Sequence, residues 1–213
     1  MGIPKIDRSV SPPLTTRVSK VERRRQILTQ AKNLFVSQGY TPVTLEEIAD
    51  RVGITLTVLG KYFEDKKEIF LEVLKQVRMA TLDQWDGLIA NSNDPIHQLH
   101  TVIESYLQSV RDHQVEFRIL HRTLMESQDK DILNQIREFY LHSEEILVRI
   151  IQSGQQSGVF RRSVNARVGA WELIRSALGY TMTLPLDLPI YREPHYLSNA
   201  TECLLQSLLK IDV

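Results

Sequence analysis

The chain contains a single cysteine, Cys203, among 213 residues. That excludes an intramolecular disulfide and a cysteine-rich zinc site, and it points to a reducing, cytoplasmic setting. With only 9 glycines and 8 prolines, collagen-like and low-complexity architectures are excluded as well. No run of about 18 apolar residues occurs, so no transmembrane helix and no membrane partner is expected. The stretch from Met1 to Thr16 lacks an apolar core and does not read as a secretory signal. Catalytic fingerprints are also missing: there is no G-x-S-x-G, no Walker A loop, no G-x-G-x-x-G and no H-E-x-x-H. Glu144 and Glu145 are adjacent and fall on different sides of a helix, so they do not make an acid–base pair. Neither an enzyme nor a cofactor is expected. Net charge is lacking too, since 26 Lys and Arg oppose 26 Asp and Glu, which excludes a coat-like, whole-surface binder of nucleic acid.

The zero conceals an asymmetry. Residues 1–38 carry 8 basic against 2 acidic side chains, whereas residues 67–213 carry 15 against 19. A basic end on a neutral chain suggests an anionic partner for that end, although a solvated basic tail has the same signature. Pro4, Pro12 and Pro13 interrupt residues 1–19, which show no periodicity and read as a flexible basic arm.

From Val21 onward the pattern is helical. Ile27, Ala31, Leu34 and Phe35 share one helix face, and Gly39 ends it as a left-handed cap. Thr44 with Glu47 forms a T-x-x-E capping box for a short helix bearing Leu45, Ile48, Ala49 and Val52, which Gly53 breaks. Thr55 caps a third helix with Val58, Leu59 and Tyr62 inside. Asp65 caps a long fourth, with apolar period nearly to Asn91. Asp94-Pro95 opens a fifth, a shorter segment spans about 113–127, and Asp129 begins one that ends near Gly154. Two more are expected at about Asn165–Thr183 and His195–Lys210. No alternating strand and no internal repeat is present, so the fold is predicted to be all-α with about nine helices.

Residues 43–62 have the size and grammar of a helix-turn-helix. Such a pair crosses closely, which needs a small residue (Ala49), a left-handed turn residue (Gly53) and apolar residues facing a third helix (Ile48, Val52, Ile54, Leu59). The second helix would lie in a DNA major groove, its N-terminal residues toward base edges. Thr55 and Thr57 permit close approach there, while Lys61 and Lys66 are candidates for phosphates. A helix hairpin inside a structural core mimics any one of these features, but not all of them at matching offsets after a basic arm.

Arg24 to Phe70 resembles the DNA-binding domain of the TetR family of bacterial transcriptional regulators. The residues that carry the likeness are Ile27, Ala31, Leu34, Phe35 and Gly39-Tyr40; Thr44-Leu45-Glu46-Glu47-Ile48-Ala49 with Val52-Gly53-Ile54-Thr55; and Leu59, Tyr62-Phe63, Lys66 and Phe70. The resemblance covers about a quarter of the chain. It implies a flexible arm at 1–19, a three-helix DNA-binding domain at 20–80 and an effector-binding and dimerisation domain at 81–213. It also implies a homodimer, paired through its last two helices, on a palindromic double-stranded operator, answering to a small-molecule effector. The expected DNA contacts are Arg23, Arg24, Arg25, Thr44, Thr55, Leu56, Thr57, Gly60, Lys61, Tyr62 and Lys66. Repression released by ligand is typical of the family. Activation, or a helical adaptor with altered or lost DNA binding, are the alternatives. Two positions depart from the family pattern: Leu56-Thr57 stand where Lys-Gly is frequent, and Gly60 replaces a tyrosine that often touches the DNA backbone. An unusual operator is therefore expected.

For the effector half the resemblance points to a cavity lined by large residues. The candidates are Trp85, Tyr106, Phe117, His121, Tyr140 and Trp171, each of which also fits an ordinary core. Arg118 and Arg122 are candidates for an anionic ligand or a solvated face. Apolar stripes at Trp171, Ile174 and Leu178 and at Leu204, Leu205, Leu208 and Leu209 suit either a dimer interface or an intrachain core. His97, His100 and Glu104 share a helix face, with His113 and His121 nearby in sequence, but without a cysteine or a second close pair no metal site is expected. Cys203 reads as a buried small hydrophobe.

Overall fold

The computed structural model describes residues 19–112, 115–206 and 208, the side chains at 115–117 excepted. Among these residues the chain is all-α, with nine helices: α1 (Lys20–Gln38), α2 (Leu45–Val52), α3 (Leu56–Leu59), α4 (Lys66–Ile89), α5 (Pro95–Arg111), α6 (Val115–Glu126), α7 (Lys130–Ser157), α8 (Ala166–Thr183) and α9 (Tyr196–Gln206). Two 3-10 turns, Leu184–Leu186 and Pro189–Arg192, join α8 to α9. All but Ser19 of the expected basic arm lies outside the described residues. Ser19 caps α1, its hydroxyl accepting from the Glu22 N–H at 3.1 Å.

Side-chain caps set most of the helix starts. Thr44, Thr55, Asp65, Asp94, Asp129 and Asn165 each accept from a backbone N–H of the first turn, and each such cap contributes about 1 kcal/mol. α1, α2 and α3 form a small head in which α1 packs on α2 and on the start of α4. Ile27, Ala31, Leu34, Ile48, Ala49, Leu59 and Phe63 are buried there. α4 then continues into the body and packs against α5, α6 and α7; α8 lies on α5 and α7, and α9 on α5. The expected boundary at residue 80 thus falls inside one continuous helix.

Several local expectations are corrected. α7 does not end near Gly154 but runs to Ser157, and Gly158 (φ 83°) is its left-handed cap. Gly154 is buried within the helix, because the Phe160 ring packs against it so closely that a Cβ there would stand 2.0 Å from Cδ2. Gly39 adopts φ 90° and ψ 176°, a glycine region other than the left-handed one expected. Of the α8 stripe, Ile174 is buried and Trp171 and Leu178 are half-buried within the chain. Leu205 and Leu208 are buried likewise, and Leu209 lies outside the described residues. Cys203 is exposed rather than buried, since the inward face of α9 is taken by Thr201 and Leu205.

Candidate nucleic-acid interface and effector cavity

Local chemistry holds the helix-turn-helix rigid. The Thr44 hydroxyl accepts from the Glu47 N–H at 3.1 Å. The Glu47 carboxylate, however, accepts from the Gln38 amide at 2.5 Å, so the expected capping box forms only by half, and its other half ties α2 to α1. At the turn, Gly53 is left-handed (φ 73°, ψ 40°). Its N–H reaches the Asp50 carbonyl at 3.1 Å, and the Ile54 N–H reaches Ala49 at 3.0 Å. This is the Schellman arrangement, which glycine adopts without a Cβ penalty.

α3 is shorter than the sequence suggests. It comprises only four residues, Leu56–Leu59. Beyond it the Lys61 and Tyr62 N–H groups reach back only three residues, to Val58 and Leu59, at 3.2 and 2.9 Å. Gly60 at this point is worse than alanine by about 1 kcal/mol in a helix, which accounts for the tightening. Leu59 and Phe63 are buried and anchor the segment, while Thr44, Thr55, Leu56, Thr57, Gly60 and Lys61 are all exposed and Tyr62 is half-buried. Leu56 is a large hydrophobic residue left 42% exposed.

The basic candidates divide into two groups. Arg24 donates to the Tyr62 carbonyl at 2.8 Å, lies 4.1 Å over the Phe63 ring and approaches Glu68 at 3.8 Å. It therefore clamps the end of the recognition segment instead of projecting freely. Lys66 donates to the Tyr40 and Thr41 carbonyls at 2.9 and 3.0 Å and stands 4.5 Å above the Tyr40 ring. Burial pulls its ammonium below the usual lysine range. Lys66, a phosphate candidate in the sequence, thus braces the connection between α1 and α2 in the chain without DNA. Arg25 is exposed and held by Glu22 at 2.8 and 2.6 Å. Arg23 is half-buried and Lys61 exposed.

Besides the packing of α1 on α6, polar side chains join head to body. Lys67 bridges Asp129 and Asp131 at 2.8 and 2.6 Å at the start of α7, and hydrogen bonds from it and from the first-turn N–H groups hold Asp129 below the usual carboxylate range. Arg122 of α6, paired with Glu126 at 2.7 Å, lays its guanidinium against Gly39, where a Cβ would come within 2.7 Å of Cζ. Sequence reasoning missed this seam, because nothing in the spacing of Gly39 and Arg122 connects them.

A cavity of about 60 Å³ lies between α4, α5, α7, α8 and α9. Of the six candidates, Trp85, Tyr106 and Tyr140 line it. The Tyr106 hydroxyl is 2.7 Å from the Thr181 hydroxyl and 3.2 Å from His121 Nε2. His121 therefore stands behind Tyr106, and burial pushes its imidazole down to about 4, so it is neutral near pH 7. Trp171 is not in the lining. It donates to Glu144 at 3.0 Å, and the same buried carboxylate pairs with Arg167. The side chain of Phe117 lies outside the described residues. Arg118 and Arg122 are exposed and are not among the residues lining the cavity. His100 pairs with Glu104 at 3.3 Å, His97 is exposed, and His113 is outside the described residues. No cluster of three metal-ligating side chains occurs among those described, nor is any helix there long and apolar enough to cross a membrane.

A helix-turn-helix head on a helical body that holds a cavity is the arrangement of a class, the DNA-binding regulators with a ligand-binding domain. Residues 27–73 match the family described as bacterial regulatory proteins, tetR family. Residues 92–179 match a tetracyclin repressor-like C-terminal domain. Together these cover more than half of the chain, which belongs to the TetR family: it is a DNA-binding transcriptional regulator with a ligand-binding C-terminal domain, and not an enzyme. Among curated relatives it is similar to the transcriptional activator FasR of Mycolicibacterium smegmatis, 28% identical over 49% of this chain and 48% of FasR; the match spans about half of that relative's length. Among solved structures it is similar to a putative transcriptional regulator from Saccharomonospora viridis in complex with choline, with a TM-score of 0.78 at 21% identity over 90% of this chain and all of the other. It is also similar to SmeT in complex with triclosan, with a TM-score of 0.74 at 19% identity over 89% and 93% of the two chains. SmeT is the repressor of the Stenotrophomonas maltophilia multidrug efflux pump SmeDEF.

Proposed function

We propose that this protein is a cytoplasmic homodimeric repressor that leaves a palindromic operator when a small molecule occupies its cavity. The exposed row Thr55, Leu56, Thr57, Gly60 and Lys61, presented on the rigid Gly53 turn, carries this reading. Thr55 and Thr57 approach base edges, Leu56 packs on a thymine methyl, and Thr44, Lys61, Tyr62, Arg23 and Arg25 meet phosphates. Arg24 and Lys66 position the reading segment from behind. Residues 20–80 form the DNA-binding unit and 81–213 the effector and dimer unit, with α4 shared across the boundary. Relatives act in both directions, FasR as an activator and SmeT as a repressor. The Arg122–Gly39 seam favours release, because a body that rearranges around a ligand pulls on the head there. A ligand shifts the equilibrium only by its differential affinity for the two states.

The dimer is assigned to the outward face of α8. Val168, Glu172, Arg175, Gly179 and Met182 recur there at intervals of four and three residues, all exposed. Val168 is 57% and Met182 41% exposed, and the nearby turns leave Leu186, Leu188 and Ile190 exposed too. The Glu172–Arg175 pair at the middle of the face is self-complementary in charge, as a two-fold interface requires. The two heads would then address half-sites about 34–36 Å apart, or a multiple of that.

Titration of the DNA upstream of the protein's own gene, read by fluorescence anisotropy at rising salt, tests the function. Sequence-specific binding with a steep salt slope is expected. Absence of binding at low salt would instead favour the helical adaptor. In the same assay Arg23→Gln should reduce the slope by about one. Arg24→Gln should weaken binding with the slope unchanged, because its role is internal. Gly60 has an ordinary helical φ of −61°, and the nearest atom to a Cβ there is the Leu56 carbonyl oxygen at 3.5 Å. Gly60→Tyr is therefore accommodated, and a several-fold gain in operator affinity is expected; unchanged affinity would show that this position faces no DNA backbone.

A further inference from the structure

Resting on the cavity being the effector site, we infer that its ligand is an uncharged, largely apolar molecule with one hydrogen-bond acceptor, which docks on the Tyr140 hydroxyl. The lining contains no Asp, Glu, Lys, Arg or His among the described residues. A carboxylate entering it would lose its water shell without a cation to replace it. A quaternary ammonium would find the faces of Trp85, Tyr106 and Phe139 but no counter-ion, so the rings alone would have to offset its desolvation.

The hydroxyls settle the remaining polarity. Ser143 donates to the Phe139 carbonyl at 2.9 Å within its own helix. Tyr106 is engaged with Thr181 and His121 at 2.7 and 3.2 Å. The Tyr140 hydroxyl, by contrast, is buried and has no hydrogen-bond partner among the described residues, while its ring packs edge-on to Phe139 at 5.3 Å. Burial holds this phenol protonated, well above the usual tyrosine range, so it offers a donor. A ketone, ester, ether or alcohol oxygen satisfies it, and the remainder of the ligand meets apolar surface apart from the engaged Tyr106 and Ser143 hydroxyls and the hydroxyl of Ser176, an exposed residue of α8. At about 60 Å³ the space is far below the ~300 Å³ or more of a typical ligand pocket. The ligand therefore has to wedge the helices apart, which gives it the differential affinity that release of the operator needs.

Three probes, each built on a straight eight-carbon chain, test the class: 2-octanone, octanoate and octyltrimethylammonium, titrated into the full-length protein and followed by Trp fluorescence and thermal shift. The ketone is expected to bind at least tenfold more tightly than either ion. Tyr140→Phe should weaken the ketone about five- to tenfold, leave n-octane binding unchanged, and leave the ligand-free melting temperature no lower than that of the parent. Ala177→Leu, which fills the cavity, should abolish binding of all three while the protein stays folded by circular dichroism. An ion that binds as tightly as the ketone, or a ketone indifferent to Tyr140→Phe, overturns the ligand class while the site stands. Binding that survives Ala177→Leu, or the failure of every probe to bind, overturns the cavity reading itself.

Discussion

Gly39→Ala is expected to lower the unfolding free energy by about 3 kcal/mol and to weaken operator binding more than any single substitution on the exposed face of α3. Two causes add. The backbone at φ 90° and ψ 176° is a region that only glycine occupies without strain, at a cost of about 1–3 kcal/mol for other residues. In addition, the new methyl would stand 2.7–2.8 Å from three atoms of the Arg122 guanidinium. The Arg122 guanidinium, the far end of a flexible and exposed side chain, would have to shift off Gly39, so the backbone supplies the larger part of the loss. A double-mutant cycle separates the two terms: adding Arg122→Ala to Gly39→Ala should recover the steric part of the loss and none of the backbone part. Chemical denaturation and anisotropy on the same four proteins provide the check. Full recovery in the double variant would show that the backbone at this position is unstrained.

The second large effect is expected at Gly154. A Cβ there would lie 2.0, 2.4 and 2.7 Å from three ring atoms of Phe160, a residue only 1% exposed. Since Phe160 follows the left-handed Gly158 closely, the ring cannot swing away without unmaking the turn that ends α7. The Phe160 and Val159 N–H groups both reach the Gly154 carbonyl at 3.0 Å, so the turn and the ring contact stand or fall together. Gly154→Val is therefore expected to cost at least about 3 kcal/mol, at the upper end of overpacking and comparable with deleting the phenylalanine outright. Thermal melts should show Phe160→Leu partly restoring a Gly154→Ala protein. If Gly154→Ala alone melts like the parent, the close approach of ring and helix does not hold in solution.

The helices were legible in the sequence because their signals are local. Apolar period and side-chain caps at Thr44, Thr55, Asp65, Asp94, Asp129 and Asn165 place the starts almost to the residue. The family was legible for the same reason, since the Gly53 turn and its flanking apolar positions fall within one short window. What escaped depends on distant partners. Gly154 looked like a helix end until Phe160 supplied the reason for a glycine inside the helix. Arg24 and Lys66 looked like free cations because carbonyl oxygens at Tyr62, Tyr40 and Thr41 leave no mark in a sequence. Trp171 and Tyr140 both read as cavity aromatics, and their rings do come within 6.4 Å of each other, yet only Tyr140 lines the cavity, and only the helix orientation decides between those places. Leu204, which the sequence left open between a dimer interface and the chain's own core, lines the cavity on the same ground.

The brevity of α3 has a consequence for how such a regulator diversifies. Four residues are too few to hold a helix alone, so the segment takes its shape from Leu59, Phe63 and the Arg24 clamp, all on its inner side. The outward positions Leu56, Thr57, Gly60 and Lys61 contribute almost nothing to the core. Point substitutions there can accumulate under drift with little penalty to folding, so new target preferences can arise before any compensating change elsewhere. A duplicated copy of this chain would thus be free to explore other binding sites while keeping its effector half intact.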